Sequence, residues 1–364
     1  MKIELKQVLY PQPKSKIKAS DGKSEGKYKF FTSSPMQTRF IDEANYDKPS
    51  LIFGTGGNAS VHFCDEPFST STDCLVMYGR NKIELESIYN YLKGNISLLE
   101  HGFKGAGLKH ISKDYILAIE IELPSEAMQH EFLQKNQIVD EIIEAKRTQL
   151  LLSEDLVKSR FIEMFGDPKL NPRKWDMVTI GDIATDVRYG TSRPATEGGK
   201  YPYLRMNNLT YEGHLDLTDL KHIDIPDNEI EKCVVRNGDV LFNRTNSVEL
   251  VGKTCVYNLD SDMIIAGYII RVRIDDRVLP VILSSYLNST VMKEQLRSMA
   301  KGAVNQANIN AQELRSISIY LPPITLQHEF ATFVEQVDKS KFEIQQSLEK
   351  LEILKKSLMQ QYFG

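Results

Sequence analysis

A block of 44 residues occurs twice in this chain, 198 positions apart. Leu123-Pro124 returns as Leu321-Pro322, and Gln129-His130-Glu131-Phe132 returns as Gln327-His328-Glu329-Phe330. Without a gap, the same offset pairs Val139-Asp140 with Val337-Asp338, Leu150 with Leu348, and Glu154 with Glu352. It also pairs Leu156 with Leu354, Lys158-Ser159 with Lys356-Ser357, and Phe165-Gly166 with Phe363-Gly364. Fifteen of the 44 positions are identical, far more than chance allows. Upstream, Ile111, Ile119 and Ile121 match Ile309, Ile317 and Ile319. More loosely, Leu51-Ile52-Phe53 resembles Val240-Leu241-Phe242. The plan is two unlike segments, each followed by a copy of one connector.

The connectors read as helices. From about Ser125 to Phe165 there is no Gly or Pro, and apolar residues return every three or four positions. Leu-Pro ahead and Gly166-Asp167-Pro168 behind are start and stop signals. Forty residues of helix make a rod of about 60 Å, too long to bury its stripe on one small domain. The expected partner is the other copy, as an antiparallel coiled coil with pseudo-twofold symmetry. Its contact and subunit-docking positions are Phe132, Val139, Ile143, Leu150 and Val157, with Phe330, Val337, Ile344, Leu348, Leu351 and Leu358.

The intervening segments alternate short β-branched runs with turns such as Gly54-Thr55-Gly56-Gly57 and Asn237-Gly238-Asp239. Modest helices are expected at 83–99 and 279–300, and a stiff linker at Asp167–Trp175. The fold class is α+β: two domains with strand-rich cores and short helices, joined by two long helices. The boundaries are 1–122, 123–166 (first long helix), 167–320 (linker and second domain) and 321–364 (second long helix).

Net charge is −4, so the chain is not uniformly basic. Residues 1–40 nevertheless carry nine Lys and Arg against three acids. The four cysteines are scattered, without zinc-ligand spacing, so no metal is expected. No apolar run suits a bilayer, and Met1-Lys2-Ile3-Glu4 lacks the apolar core of a signal peptide. A cytoplasmic, reduced protein is the expectation.

Sequences that suggest chemistry do not complete their motifs. Phe53-Gly54-Thr55-Gly56-Gly57 opens no long helix. Gly252-Lys253-Thr254 lacks the first P-loop glycine, because position 247 is Ser247. Asn171-Pro172 continues as Arg173-Lys174 and not as a methyltransferase motif. His130 and His328 read as packing or docking residues. No catalytic residue is assigned.

The order of these features resembles the specificity subunit of type I restriction–modification enzymes, over essentially the whole chain. It rests on the paired Leu-Pro…Gln-x-x-Phe helices, Phe-Gly-Asp-Pro at 165–168 with Asn171-Pro172 and Trp175, and the Gly-Lys after Leu241. Tyr189-Gly190-Thr191-Ser192 and Gln306-Ala307-Asn308-Ile309-Asn310 add to it. The resemblance implies two target-recognition domains, each reading half of a bipartite double-stranded DNA site, with the helices as spacer and dock. It implies two methyltransferase subunits and two motor-nuclease subunits as partners. These would carry out adenine-N6 methylation and cleavage with their own S-adenosylmethionine, ATP and Mg, so this chain needs no cofactor. A protein-only coiled-coil scaffold is the alternative, but it does not explain the Arg- and Asn-rich loops.

Phosphate contacts call for Lys and Arg, and base reading calls for Arg, Asn and Gln. Candidates in the first domain are Lys14, Lys16, Lys18, Lys23, Lys27, Lys29, Ser33, Ser34, Thr55, Asn58, Lys104 and Lys109. In the second they are Arg188, Tyr189, Thr191, Ser192, Arg193, Arg205, Asn207, Asn208, Asn243, Arg244, Asn246, Lys253, Lys301, Asn305 and Gln306.

Overall fold

The structure, a computed structural model, describes residues 2–105, 107, 109–303 and 306–364. It divides into two compact units: Met1–Arg147 with Gln345–Gly364, and Thr148–Ile344. The long helices, Glu126–Phe165 and Ile324–Phe363, each contribute to both.

The strands described in the first unit are β1 (Lys2–Glu4), β2 (Tyr10–Pro11), β3 (Tyr28–Phe31), β4 (Arg39–Ile41), β5 (Ser50–Gly54), β6 (Ser60–Cys64), β7 (Phe68–Thr70), β8 (Cys74–Tyr78) and β9 (Glu120–Glu122). Those of the second are β10 (Asp176–Thr179), β11 (Ala184–Tyr189), β12 (Tyr201–Leu204), β13 (Lys221–Ile223), β14 (Val234–Val235), β15 (Val240–Asn243), β16 (Thr245–Asn246), β17 (Thr254–Val256), β18 (Met263–Ile265), β19 (Ile269–Ile274), β20 (Lys301–Ala303), β21 (Gln306–Asn308) and β22 (Ser318–Leu321).

One topology occurs twice. The sheet β2-β8-β5-β6 corresponds to β11-β19-β15-β17. The order β4-β3-β7, with β3 parallel to β7, corresponds to β13-β12-β18, with β12 parallel to β18. The pair β1–β9 corresponds to β10–β22. The repeat in the connectors therefore extends into segments whose sequences have diverged.

The short apolar runs lie at the centre of each unit because both faces of their sheet are covered. Along β5, Leu51 and Phe53 enter one core with Leu85 and Ile88 of the helix Lys82–Gly94. Ile52, pointing the other way, joins Phe31, Phe68 and Val76. In β15, Val240 and Phe242 face the core of the helix Pro280–Asn288, and Leu241 faces that of Leu204 and Ile264.

The long helices start alike. Gln129 Nε2 donates to Pro124 O at 2.9 Å, and Gln327 Nε2 donates to Pro322 O at 2.8 Å. Both glutamines are buried, whereas His130 and His328 beside them are exposed. The helices also end alike, on Gly166 and Gly364, each at φ +87°, in the left-handed region that suits glycine after a helix. In the first unit the start of one helix lies against the end of the other: Phe132, Val139 and Ile143 meet Leu358, Tyr362 and Phe363. In the second, Phe161 and Phe165 meet Phe330. Val337 and Ile344 are buried too, while Leu150, Val157, Leu348 and Leu351 are half-buried.

Two local expectations need correction, and a third gains detail. The helix expected at 83–99 is Lys82–Gly94, followed after a break by the short Ser97–Glu100. The helix at 279–300 is two, Pro280–Asn288 and Thr290–Met299, because Ser289 turns extended and its hydroxyl caps Met292 N. Asp167–Trp175, expected as a stiff linker, forms a hydrogen-bonded corner. Asn171 is at φ +42°, and the Trp175 indole donates to Phe165 O at 3.1 Å.

Candidate nucleic-acid interface

In the first unit the loops at one end of the β5–β6 hairpin are gathered onto a single carbonyl. Asp73 O accepts from Thr55 N and Thr55 Oγ1, both at 2.9 Å, and from Ser33 Oγ at 2.6 Å. Gly56 N donates to Ser33 Oγ at 3.3 Å. His110 bridges both Gly56 and Lys104, which brings Lys104 and His110 alongside. A Cβ on Gly54 would lie 2.9 Å from the Ser33 Cα, so this close crossing requires glycine. The neighbouring Thr72 N donates to Ile17 O, which places the Lys14–Lys18 segment next to it. Ser33, Ser34, Thr55, Asn58, Lys104 and Lys109 thus share one neighbourhood, and Lys14, Lys16 and Lys18 border it, exposed.

The other lysines of this unit are engaged locally. Lys23 pairs with Asp42 at 2.6 Å, Lys29 with Glu66 at 3.6 Å, and Lys27 sits 5.0 Å over the Tyr28 ring. All three remain exposed.

In the second unit, Tyr189, Thr191, Arg244 and Asn246 converge. The Arg244 guanidinium lies 4.8 Å over the Tyr189 ring, and Tyr189 Oη accepts from Ala311 N at 2.8 Å. Gly190 passes against Ile265 O so closely that a Cβ would come within 2.1 Å. Gly267 N donates to Thr191 O at 2.7 Å, and Arg244 N to Tyr268 O at 2.9 Å. Asn246 pairs in register with Ala307 on β21, whose other neighbour is β20. Lys301 and Gln306 therefore sit on a hairpin beside this cluster, with only their backbone described, and Asn305 lies outside the described residues. Tyr189 and Tyr268 are large rings left exposed.

Three candidate arginines are held by carboxylates. Arg193 grips Glu229 with two bonds, at 3.0 and 2.7 Å. Arg205 binds Asp219 at 2.7 Å, and Arg188 binds Asp186 at 2.7 Å. Burial works to raise the Asp186 carboxyl, but bonds from Arg271 and Arg188 outweigh it and leave the pKa lowered. Ser192 and Asn207 are exposed.

Three candidates belong inside the unit. Asn208, Asn243 and Lys253 are 2%, 0% and 7% exposed, so in this conformation DNA does not reach them. Asn208 Oδ1 caps Arg205 N at 2.8 Å, and Lys253 Nζ donates to Met206 O at 2.7 Å. Asn208 and Lys253 hold loops in place, an assignment that residue type alone could not provide.

Sequence reasoning missed a polar cluster below these loops. His214 Nε2 lies 3.0 Å from Glu154 Oε1 and 2.9 Å from Lys341 Nζ, and Lys341 also bonds Glu154. Burial opposes the Glu154 charge, but the bonds to His214 and Lys341 prevail and bring its pKa to about 2. Nearby, Lys293 is 3% exposed and donates to Gly252 O at 2.9 Å. Burial, with Lys253 and Arg297 close by, pushes its pKa down to about 7. Neither group carries a spacing signal, because its partners come from distant segments.

Among the described residues no three His, Cys, Asp or Glu side chains are grouped to hold a metal ion, and no helix is long and apolar enough to cross a membrane. Burial pushes the Cys74 thiol up to about 11 and the Cys255 thiol up to about 12, away from thiolate chemistry.

Residues 1–152 and 172–355 match the model of the type I restriction modification DNA specificity domain. The chain belongs to this family. Among similar proteins, the type I restriction enzyme MjaX specificity subunit of Methanocaldococcus jannaschii is 29% identical over 196 residues, 53% of this chain and 46% of that protein. The EcoBI specificity subunit of Escherichia coli is 22% identical over 349 residues, 86% of this chain and 72% of that one. The first of these matches spans about half of its relative's length. A solved S subunit of a type I restriction–modification system from M. genitalium shares the fold, with TM-score 0.60 and 16% identity, covering 100% of this chain and 96% of that one. As a specificity-domain protein, the chain has a double domain match that parallels its duplicated topology.

Proposed function

We propose that this chain is the DNA-reading specificity subunit of a type I restriction–modification complex, recognising a bipartite double-stranded target. The observation that carries this reading is the repeated frame: two units of one topology, each presenting an exposed, polar, loop-built cluster. In this reading, lysines such as Lys16, Lys18 and Lys104 supply phosphate contacts, and Arg244, Asn246 and Ser192 read base edges. The chain itself performs no catalysis. Two methyltransferase subunits dock on the long helices, and two motor-nuclease subunits complete the cleaving assembly. S-adenosylmethionine, ATP and Mg are bound by those partners, and the complex works in the cytoplasm.

Exposed apolar side chains on the helices support the docking role. Leu151, Leu152 and Leu156 are 71%, 61% and 51% exposed, and Phe342 and Ile353 are 59% and 66% exposed. Large apolar side chains left exposed on the long helices are available to a partner.

Single-molecule methylation mapping of host DNA tests the reading. The expected result is two short specified halves around a fixed unspecified gap, with adenine modified in each half. Loss of this pattern on deleting the chain's gene assigns it to this protein. An unchanged methylome on deletion overturns the proposal.

A further inference from the structure

One difference between the two units lies in the connection that joins the parallel strand to its antiparallel edge neighbour. In the second, the connection from β12 to β13 spans residues 205–220 and carries a hairpin closed by a bridge between Leu209 and Leu215. Gly213, at φ +95°, turns it, and a Cβ there would meet the Asn288 amide nitrogen at 2.5 Å. His214 fastens its tip to Glu154 and Lys341, and Arg297 Nη2 donates to the Tyr211 hydroxyl at 2.9 Å. The hairpin therefore occupies the space between the end of the helix Pro280–Asn288 and Glu154 of the first long helix.

In the first unit the matching connection, β3 to β4, is only residues 32–38, and it is tied to β6 by His62 Nε2 donating to Ser34 O at 2.9 Å. The counterpart groove lies between the end of the helix Lys82–Gly94 and the last turns of the second long helix. It is open, with a cavity of about 520 Å³. By the 198-residue offset, Glu352, Lys356, Met359 and Phe363 occupy the positions of Glu154, Lys158, Phe161 and Phe165. Met359, Phe363 and Tyr91 give it an apolar wall.

Its charge is unbalanced. Lys355 is committed to Asp140, and Glu352 lies 3.4 Å from Arg147. Lys93 and Lys356 also line the groove, are exposed, and make no ion pair among the described residues. Two cations above an apolar wall suit a carboxylate on an apolar support better than a phosphate backbone, which has nothing to place against Met359. The filled groove of the second unit shows that a polypeptide turn fits this setting.

We propose that the open groove receives an acidic turn of a partner protein, with a carboxylate facing Lys93 and Lys356 and an apolar side chain against Met359. This rests on the reading that methyltransferase subunits dock on the long helices. It adds that the two docking sites are unequal, because the second unit fills its groove with its own hairpin.

The test uses the full-length chain co-expressed with its methyltransferase subunit, assembly being read by native mass spectrometry and titration. Lys93→Glu combined with Lys356→Glu is expected to weaken one of the two partner copies by about tenfold or more and leave the other unchanged. Both lysines are exposed, so the melting temperature should hold. A photo-crosslinking amino acid at Met359 should capture an acidic segment of the partner. If the unaltered chain does not assemble with the subunit at all, the functional reading fails and the occupant falls with it. If the unaltered chain assembles and the double reversal assembles equally well, or Met359 crosslinks to DNA, the groove proposal alone is overturned.

Discussion

Phe132 stands edge-on to Phe363, with ring centroids 5.1 Å apart and planes at 86°. Its counterpart 198 residues on, Phe330, stands edge-on to Phe165 at 5.4 Å and 76°. Phe165 and Phe363 are themselves related by the same offset, so one aromatic lock is built twice from one repeated sequence. All four rings are at most 2% exposed. Phe132→Ala and Phe330→Ala should each cost about 3–5 kcal/mol, from lost transfer energy plus the cavity left behind. Urea unfolding of each single variant checks this, and Leu152→Ala, on a residue 61% exposed, should shift the midpoint little.

Gln129 and Gln327 separate a shared role from an acquired one. Both bond the proline carbonyl that precedes their helix, but Gln327 also donates to Arg277 O at 3.0 Å and accepts from Leu279 N at 2.8 Å. A buried group left unpaired costs about 1–3 kcal/mol. Gln327→Leu strands Leu279 N, Arg277 O and Pro322 O, whereas Gln129→Leu strands Pro124 O. Thermal melts should therefore show a larger loss for Gln327→Leu, by about 1–3 kcal/mol. Equal losses would show that the extra bonds contribute nothing.

The duplicated connector was readable because its sequence repeats without gaps and a 40-residue helix needs only periodicity. The correspondence of Leu51–Phe53 with Val240–Phe242 was also readable, since fully buried central strands leave continuous apolar runs. Edge strands such as β2 and β13 were not, because their burial is decided by partners far along the chain. In the candidate interface the residue types were legible but their burial was not. Asn243 and Asn246 look equivalent as letters, yet Asn243 is 0% exposed and Asn246 is half-buried on β16. The 209–215 hairpin had no local signature, because its purpose lies in the Glu154 and Lys341 side chains it meets.

The Arg193–Glu229 pair sets up a competition. Both bonds are short, but the side chains are 46% and 32% exposed, so the pair is solvated and readily exchanged. If Arg193 binds phosphate or a base in the complex, Glu229 must release it. Glu229→Gln should then tighten DNA binding and, by removing a nearby negative charge, relieve repulsion of the backbone. Affinity measured against salt is the check. Arg193→Ala should lower the slope of log K against log salt by about 1 if the contact is to phosphate. A slope unchanged in both variants removes Arg193 from the interface.

Lys293 gives the second unit a pH dependence of defined sign. Its ammonium is buried, with Lys253, Arg297 and Lys158 near and Glu212 opposing them, and its pKa falls to about 7. In the unfolded chain a lysine titrates near 10.4. Between these values the unfolded state holds a proton that the folded state has released, so stability rises with pH across that window. Below about pH 7 both states are protonated, and the full cost of burying the charge is felt. The slope from one such group approaches about 1.4 kcal/mol per pH unit. Lys293→Met removes the titrating group while keeping the aliphatic packing. The variant should gain on the unaltered chain most at pH 6–7, with the gap closing towards pH 10. Melting curves over that range decide it. A constant difference between the two proteins would mean that Lys293 stays charged throughout, its ammonium held by Gly252 O and the Tyr211 ring 4.9 Å away.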